Sequence, residues 1–308
     1  MSSEWSFIMQ SLKDKHCAIA ELIEGKTVAY VDIPMHFNIG DMLIYLGTEA
    51  FIKEYNIDVI YRSGISCRLS KLKKADIILL HGGGNFGDLY PKHQRFREYL
   101  IKKFPMKRII CLPQTLYFSS SKAQEKSANI FYGHNDFHLF VRDERSIKVG
   151  STFTKNISLM PDMAHGLHPL IDVRESDLKR TTTRIINMQR VDSEQKKKQN
   201  VRVEKKNFDW EDLISPNMRL ISKAVIGLNM LGLDKNVYLW RKLVDYMVFN
   251  AINYFMGHDT VYSDRLHGVI LSSMLAKKIK LYDNSYGKNS DYLKTWLQKY
   301  PGIIHDDN

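Results

Sequence analysis

His81–Asp88, HGGGNFGD, follows the apolar run Ala75–Leu80 and precedes a polar helical pattern, which predicts a strand that ends in a glycine turn. Three consecutive glycines permit positive φ and a close backbone approach, so amide groups and the next helix N-terminus can face an anionic or hydroxyl-rich ligand. A loop of this kind at the carboxyl end of a strand lies where open α/β sheets hold their ligands. A plain strand-to-helix connection would use the same residues, so the segment decides the fold class before it decides the chemistry.

Working outward, short β-rich runs alternate with amphipathic helical stretches. Thr27–Ile33, Asp58–Arg62, Ala75–Leu80, Arg108–Leu112, Phe137–Val141 and Asn156–Met160 read as strands. Asp41–Tyr55, His93–Lys103 and Lys122–Asn135 read as the helices between them. The alternation implies right-handed crossovers and a mainly parallel, Rossmann-like sheet. A polar stretch, Asp172–Thr183, reads as a linker. The expected organisation is an N-terminal lobe over 1–171 and a C-terminal lobe over 172–308. The second lobe is expected to repeat the architecture through strands at Arg184–Met188, Asp259–Tyr262 and Ile279–Tyr282 and a helix over Asn236–Met256. Between Val191 and Leu233 no clear period emerges.

Three loops should converge on one crevice at the carboxyl edge of the first sheet. PMHFNIGD, Pro34–Asp41, carries Asn38, Gly40 and Asp41 at a helix start, where capping alone would explain them. HGGGNFGD supplies Gly83, Gly84, Asn85 and Asp88. Pro113 and Gln114 form a third loop as the chain leaves the strand Arg108–Leu112. In the second half, SDRLHG, Ser263–Gly268, follows a strand and opens an apolar helix. Arg265 offers a planar fork for carboxylate or phosphate, His267 can carry a proton near neutral pH, and the helix start adds positive potential. VRDERS, Val141–Ser146, puts Arg142 directly after a strand, and PDMAH, Pro161–His165, puts Asp162 after another. Asp143 and Asp162 serve equally well as caps of the turns they open.

Composition narrows the class. A chain of 308 residues, 44% hydrophobic and 26% charged, has the make-up of a globular protein large enough for two lobes. No apolar stretch approaches the roughly 20 residues of a membrane helix, and the N-terminus lacks the apolar segment of a signal peptide, so a cytoplasmic protein is expected. Cys17, Cys67 and Cys111 are three in number without CxxC spacing, the pattern of reduced thiols. The net charge of +11 implies anionic partners. With no zinc-finger, RRM or KH signature, nucleic acid is not expected among them. Lys196–Lys198 and Arg202–Lys206 concentrate part of the charge, on a solvated face or at peripheral contact with an anionic inner membrane surface.

Taken in order, NIGD, HGGGNFGD, the Pro113-Gln114 pair, VRD, PDMAH and SDRLHG resemble the polysaccharide pyruvyl transferase family over most of the chain. The resemblance implies a two-lobed, glycosyltransferase-B-like fold. It also implies transfer of the carbon skeleton of phosphoenolpyruvate to a sugar of a surface polysaccharide such as exopolysaccharide or capsule, or of its lipid-linked precursor, as a pyruvate ketal. Phosphoenolpyruvate is then a co-substrate, and neither metal nor resident cofactor is needed. Carried over residue by residue, Arg142 and Arg265 hold the donor with His267, and His267 is the proton donor. Asp88 or Asp41 is the base on the sugar side, with Asn38, Gly83, Gly84, Asn85 and Gln114 as acceptor contacts. Two other functions fit the same loops: a nucleotide-sugar glycosyltransferase of the same fold, and a catalytically silent glycan-assembly protein.

Overall fold

The computed structural model describes residues 2–170, 184–189, 207–230, 236–282 and 288–305. Two helices come first, α1 (Ser2–Asp14) and α2 (Cys17–Ile23). The first α/β series follows as β1 (Val28–Val31), α3 (Ile39–Glu54), β2 (Val59–Arg62), α4 (Leu69–Lys74), β3 (Ile77–Leu80) and β4 (Gly83–Gly87). It continues with α5 (Pro91–Lys103), β5 (Arg108–Tyr117), α6 (Ser121–Phe131), β6 (Phe137–Val141), α7 (Glu144–Gly150) and β7 (Ile157–Leu159). These strands form a seven-stranded sheet, parallel throughout, in the order β2-β1-β3-β5-β6-β7, with β4 also on β5. A second parallel sheet, ordered β10-β9-β8, is built from β8 (Ile185–Met188), α8 (Pro216–Met230), α9 (Asn236–Met256), β9 (Thr260–Ser263), α10 (Leu266–Met274) and β10 (Lys278–Leu281). α11 (Lys288–Tyr292) ends the helices and runs into a π-helical turn, Leu293–Leu297.

The apolar runs form strands because a parallel sheet covered on both faces needs apolar side chains on both. Alternate residues divide cleanly between two clusters. Val28, Tyr30, Ile77, Leu79, Ile110 and Leu112 face one cluster, which continues into the second sheet through Ile186, Met188 and Val261. Ala29, Val31, Ile78, Leu80, Ile109 and Cys111 face the other, under α5 and α6. Each βα unit turns at the carboxyl end of its strand, which brings the loops after β1, β3 and β6 to one edge. No helix among the described residues is long and apolar enough to cross a membrane.

Two expected turns are strands instead. β5 does not end at Leu112: it runs on to Tyr117, with its register shifted between Cys111 and Gln114, so Pro113 and Gln114 lie inside it. An irregularity at proline is what a strand needs, since proline donates nothing to the ladder. The long β5 then offers a partner to the glycine segment. β3 pairs with its first half, Ile77 opposite Arg108 to Leu80 opposite Cys111, and β4 with its second, Gly83 opposite Gln114 to Gly87 opposite Tyr117. HGGGNFGD is therefore a continuation of β3 along the same neighbour, and the next helix begins only at Pro91. The second series carries its three strands where they were expected, and α8 lies within the stretch without a clear period. The expected linker and lobe boundary, and the basic runs 196–198 and 202–206, lie outside the described residues.

Two predictions concern stability. Gly87 has φ +128°, and a Cβ there would overlap the carbonyl oxygen of Tyr117. Gly87→Ala should cost about 3 kcal/mol or more in denaturant unfolding. Gly25→Ala, with φ +68° but open space around the Cβ, should cost only about 1–2 kcal/mol. Burial pushes the His16 and His81 imidazoles down to about 4 and that of His165 to about 3. The unfolded chain binds protons to these rings near pH 6.5 while the folded chain stays neutral, so stability falls as pH drops from about 6.5 towards 4. Each neutral histidine contributes up to ~1.4 kcal/mol per pH unit in that window. Stability unchanged between pH 7 and 5 would show that these rings are not held neutral.

Candidate active site

At the carboxyl edge of the large sheet, facing the start of α10, lies a cavity of about 340 Å³. A larger one, about 540 Å³ between α2 and the start of β1, is lined by Cys17, Glu21, Lys26 and Tyr55 among others and gathers none of the predicted residues.

The cavity's basic wall starts at β6. Its last residue hands the chain to Arg142, whose side chain is 1% exposed, and Arg142 Nε donates to Thr115 Oγ1 at 2.9 Å. Arg142 Nη1 pairs with Asp162 Oδ2, and that carboxylate oxygen also lies 3.3 Å from His267 Nε2. Asp162 Oδ1 accepts from Ala164 N at 2.9 Å, capping the 3₁₀ turn Met163–Leu167. Burial would raise the Asp162 carboxyl, but the charges of Arg142 and His267 hold it well below the usual carboxylate range. Arg265, at the N-cap of α10, forks onto Asp209 through Nε at 3.1 Å and through Nη2. Asp209 is itself fixed by a capping box with Asp212, which opens the 3₁₀ turn Trp210–Leu213. In the first turn of α10, the His267 ring packs on Gly40 of α3, where a Cβ would sit 2.5 Å from Nδ1.

The opposing groups come from the first three loops. Asn38 Oδ1 accepts from Gly40 N at 3.0 Å and caps α3 while facing the cavity. Asp41 pairs with His36 at 3.4 Å. Its burial works against ionisation, yet His36, His267, His81 and Arg142 keep its carboxyl below the normal value, so Asp41 is an anion at neutral pH. Asn85 is held by Arg97, whose Nη1 donates to Asn85 O at 3.0 Å and Nη2 to Asn85 Oδ1 at 2.5 Å. Arg97 in turn pairs at 2.6 Å with Asp32, a fully buried carboxylate with φ 65° at the end of β1. Asp32 also meets His93 Nδ1 at 2.6 Å.

Of the residues read from sequence, Arg142, Arg265, His267, Asn38, Asp41, Gly84 and Asn85 line this one cavity. Three predicted residues stand apart from the lining. Asp88 accepts from Ser119 N at 2.9 and 3.0 Å and from Ser119 Oγ, tying β4 to the end of β5. Gln114 is buried beneath the loops, its Nε2 donating to His81 O at 2.7 Å. Gly83 backs onto Asp41 Oδ1 rather than opening to the cavity. Lining residues absent from the sequence reading are His36, Tyr90, His93, Trp210 and Leu266, with Asp32 and Asp209 behind them. His36 sat inside the quoted PMHFNIGD, and the spacing of Asp209 and Asp212 is that of a capping box.

A buried carboxylate that gathers an arginine and a histidine, beside a second arginine fixed by its own aspartate, preorganises positive charge and a proton carrier around one small-molecule space. The family model for polysaccharide pyruvyl transferases matches residues 38–279, which include every residue lining this cavity except His36. The chain is 36% identical to a Bacillus subtilis protein named "Putative pyruvyl transferase EpsO", over 98% of this chain and 94% of that protein. It is 26% identical to "Pyruvyl transferase 1" of Schizosaccharomyces pombe, over 88% and 70% respectively. A crystal structure of an uncharacterised Klebsiella pneumoniae protein shares the fold, with a TM-score of 0.62 at 22% identity over 96% of this chain and 98% of that one. With the motifs in order, the side chains gathered and the family model covering them, the chain belongs to the polysaccharide pyruvyl transferase family.

Proposed function

We propose that the protein transfers pyruvate from phosphoenolpyruvate to a sugar of a surface polysaccharide, or of its lipid-linked precursor, and closes it into a ketal on two hydroxyls. The observation that carries this reading is the meeting of Arg142, Arg265, His267 and Asp41 on one cavity. We read the two parallel sheets as the two lobes of a glycosyltransferase-B-like fold, divided between 171 and 172, and the protein as a cytoplasmic enzyme with phosphoenolpyruvate as co-substrate and no resident cofactor.

In the proposed reaction His267 delivers a proton to the methylene carbon of phosphoenolpyruvate, and C2 becomes oxocarbenium-like. A sugar hydroxyl attacks C2, its proton passing to the acceptor side of the cavity. The C2–O bond to phosphate then breaks, and inorganic phosphate leaves with the bonding pair. A second hydroxyl attacks the same carbon and closes the ketal, so that one phosphoenolpyruvate and one diol give one ketal and one phosphate. Arg142 and Arg265 are suited to the two anionic ends of the donor because Asp162 and Asp209 hold their guanidinium groups in place before it arrives. Of the two aspartates considered for the sugar side, Asp41 faces the cavity and Asp88 is bound by Ser119, so Asp41 takes the role. As a carboxylate kept ionised beside His36, it is an acceptor for the hydroxyl proton as the nucleophile forms.

Mass spectrometry of glycans incubated with protein and phosphoenolpyruvate tests the reaction, since a ketal adds a defined mass; a nucleotide sugar consumed in place of phosphoenolpyruvate would overturn it. Arg265→Ala should weaken phosphoenolpyruvate binding by about 2–5 kcal/mol in calorimetry, the usual loss for a charged contact at a desolvated site. Unchanged affinity would remove Arg265 from the donor site. His267→Gln keeps a hydrogen-bonding group but no deliverable proton, so donor affinity should persist while turnover falls by roughly 10² to 10⁴. Near-parental turnover at saturating donor would exclude acid catalysis by His267.

A further inference from the structure

Half of the exposed large apolar side chains among the described residues stand on just two helices, α8 and α9. These helices pack against each other and are consecutive in the chain. On α8, Leu220, Ile221 and Leu228 face outward, Leu220 at 71% exposure. On α9, Tyr238, Tyr246 and Phe249 do so, at 64%, 53% and 59%. Spacings of four, four and three through Tyr238, Lys242, Tyr246 and Phe249 put these residues on one helical stripe. The inner faces are filled by Trp240, Val244, Met247, Val248 and Ala251, so α9 is amphipathic inward and apolar again outward. An apolar outer face on a monomer marks an interaction surface.

Charge identifies the occupant. Lys242 lies in the middle of the α9 stripe, with Nζ 5.0 Å from the Tyr238 ring centroid, and Lys223 is exposed on α8. The core of a protein–protein contact is depleted of lysine, because a buried ammonium has to be desolvated there. At a bilayer the same lysines reach the headgroup phosphates while tyrosine, phenylalanine and leucine enter the boundary below them. Asp245, the acid on this side of α9, is already paired with Arg241 at 3.0 Å. The chain as a whole carries +11, so its field favours an anionic surface.

We propose that the outer face of α8 and α9 docks the protein on an anionic bilayer. The opposite, inner face of α9 borders the cleft: Trp240 Nε1 donates to Pro34 O at 2.8 Å, two residues before the cavity-lining His36. Trp210, also on the cavity, stacks on Phe255 of α9 at 5.6 Å between ring centroids. Docking by the outer face would thus hold the cleft about one helix diameter, roughly 10 Å, from a bilayer that carries a lipid-linked sugar. That purpose rests on the reading of a lipid-linked acceptor, whereas the docking itself does not depend on turnover.

Sedimentation of the full chain with vesicles of equal parts phosphatidylglycerol and phosphatidylcholine, and with phosphatidylcholine alone, tests the surface. Binding is expected to the anionic vesicles and to weaken with salt. Lys223→Gln and Lys242→Gln should each lower it about fivefold, and Leu220→Asp with Phe249→Asp should lower it at least about tenfold. Circular dichroism and the unfolding midpoint identify a variant that has lost its fold, in which case Phe249→Ser alone with the lysine pair decides. Parental protein that ignores anionic vesicles, or binding indifferent to all these substitutions, overturns the proposal. So does a parental dimer that the aspartate variant splits while vesicle binding persists, which would give the face to a second copy of the chain. Calorimetric binding of phosphoenolpyruvate to the parent, run in parallel without vesicles, reads the pyruvyl-transfer proposal separately from the docking.

Discussion

The buried ion pair between Arg142 and Asp162 is the contact on which the site's geometry depends. Its side chains are 1% and 0% exposed, and the backbone groups of both residues are bonded as well. Arg142 N donates to Gln114 O at 3.0 Å and Arg142 O accepts from Trp296 Nε1 at 2.9 Å. Asp162 N reaches Tyr292 OH at 3.1 Å, and His165 Nε2 meets the same hydroxyl at 2.9 Å. The pair therefore ties the ends of β6 and β7 to α10 through His267 and to the C-terminal segment through Tyr292 and Trp296. Two charges withdrawn from water are costly to hold, and that cost is offset only when their remaining donors and acceptors are satisfied. Here the satisfying groups come from several distant segments, so burying the pair requires those segments to be in place together.

The second arginine follows the same rule with a different aspartate. Arg265 is fixed by Asp209, and Asp209 by the turn it caps, so neither guanidinium is free to swing. Such an arrangement lowers the net positive charge of the cleft while making its direction permanent. In the proposed reaction an anionic donor would meet two oriented cations, with His36, His93 and His267 also on the lining. Preorganisation of this kind would serve the proposed reaction, because no reorientation would have to occur as charge moves from C2 to phosphate.

The strand positions were legible because fully buried parallel strands are written as short apolar runs, and the crevice was legible because βα turns must share the carboxyl edge. The glycine segment was misread as a turn for a reason outside itself: its partner is the second half of β5, and nothing local to HGGGNFGD announces that β5 passes through Pro113. Asp88 looked like a site residue for its place in the motif, yet its carboxylate is satisfied by Ser119, 31 residues away. Asp209 and Trp210 were hidden in a segment whose 3₁₀ turn and irregular backbone carry no hydrophobic period. Asp32 was invisible for another reason. Its role depends on a positive φ of 65° and on Arg97, which stands on a helix far along the chain.

Glycines at the two ends of the matched region explain why its motifs recur as units. Gly40 in NIGD leaves the space that the His267 ring fills. Gly268, the residue after that histidine, lies where a Cβ would meet Ser263 Oγ at 2.6 Å and Met188 Sδ at 2.7 Å, so α10 can press onto β8 and β9. One helix start is thus packed on both sides with no room for a methyl group, against α3 on the first sheet's side and against the second sheet on the other. At close packing a displacement of one methyl is felt immediately. The distance from His267 to Asp162, and with it the proton carrier's position beside the arginine, is set by those two contacts. The chemistry-bearing residues and the bare positions next to them consequently form one constraint, and a sequence reading that sees only the charged side chains registers half of it.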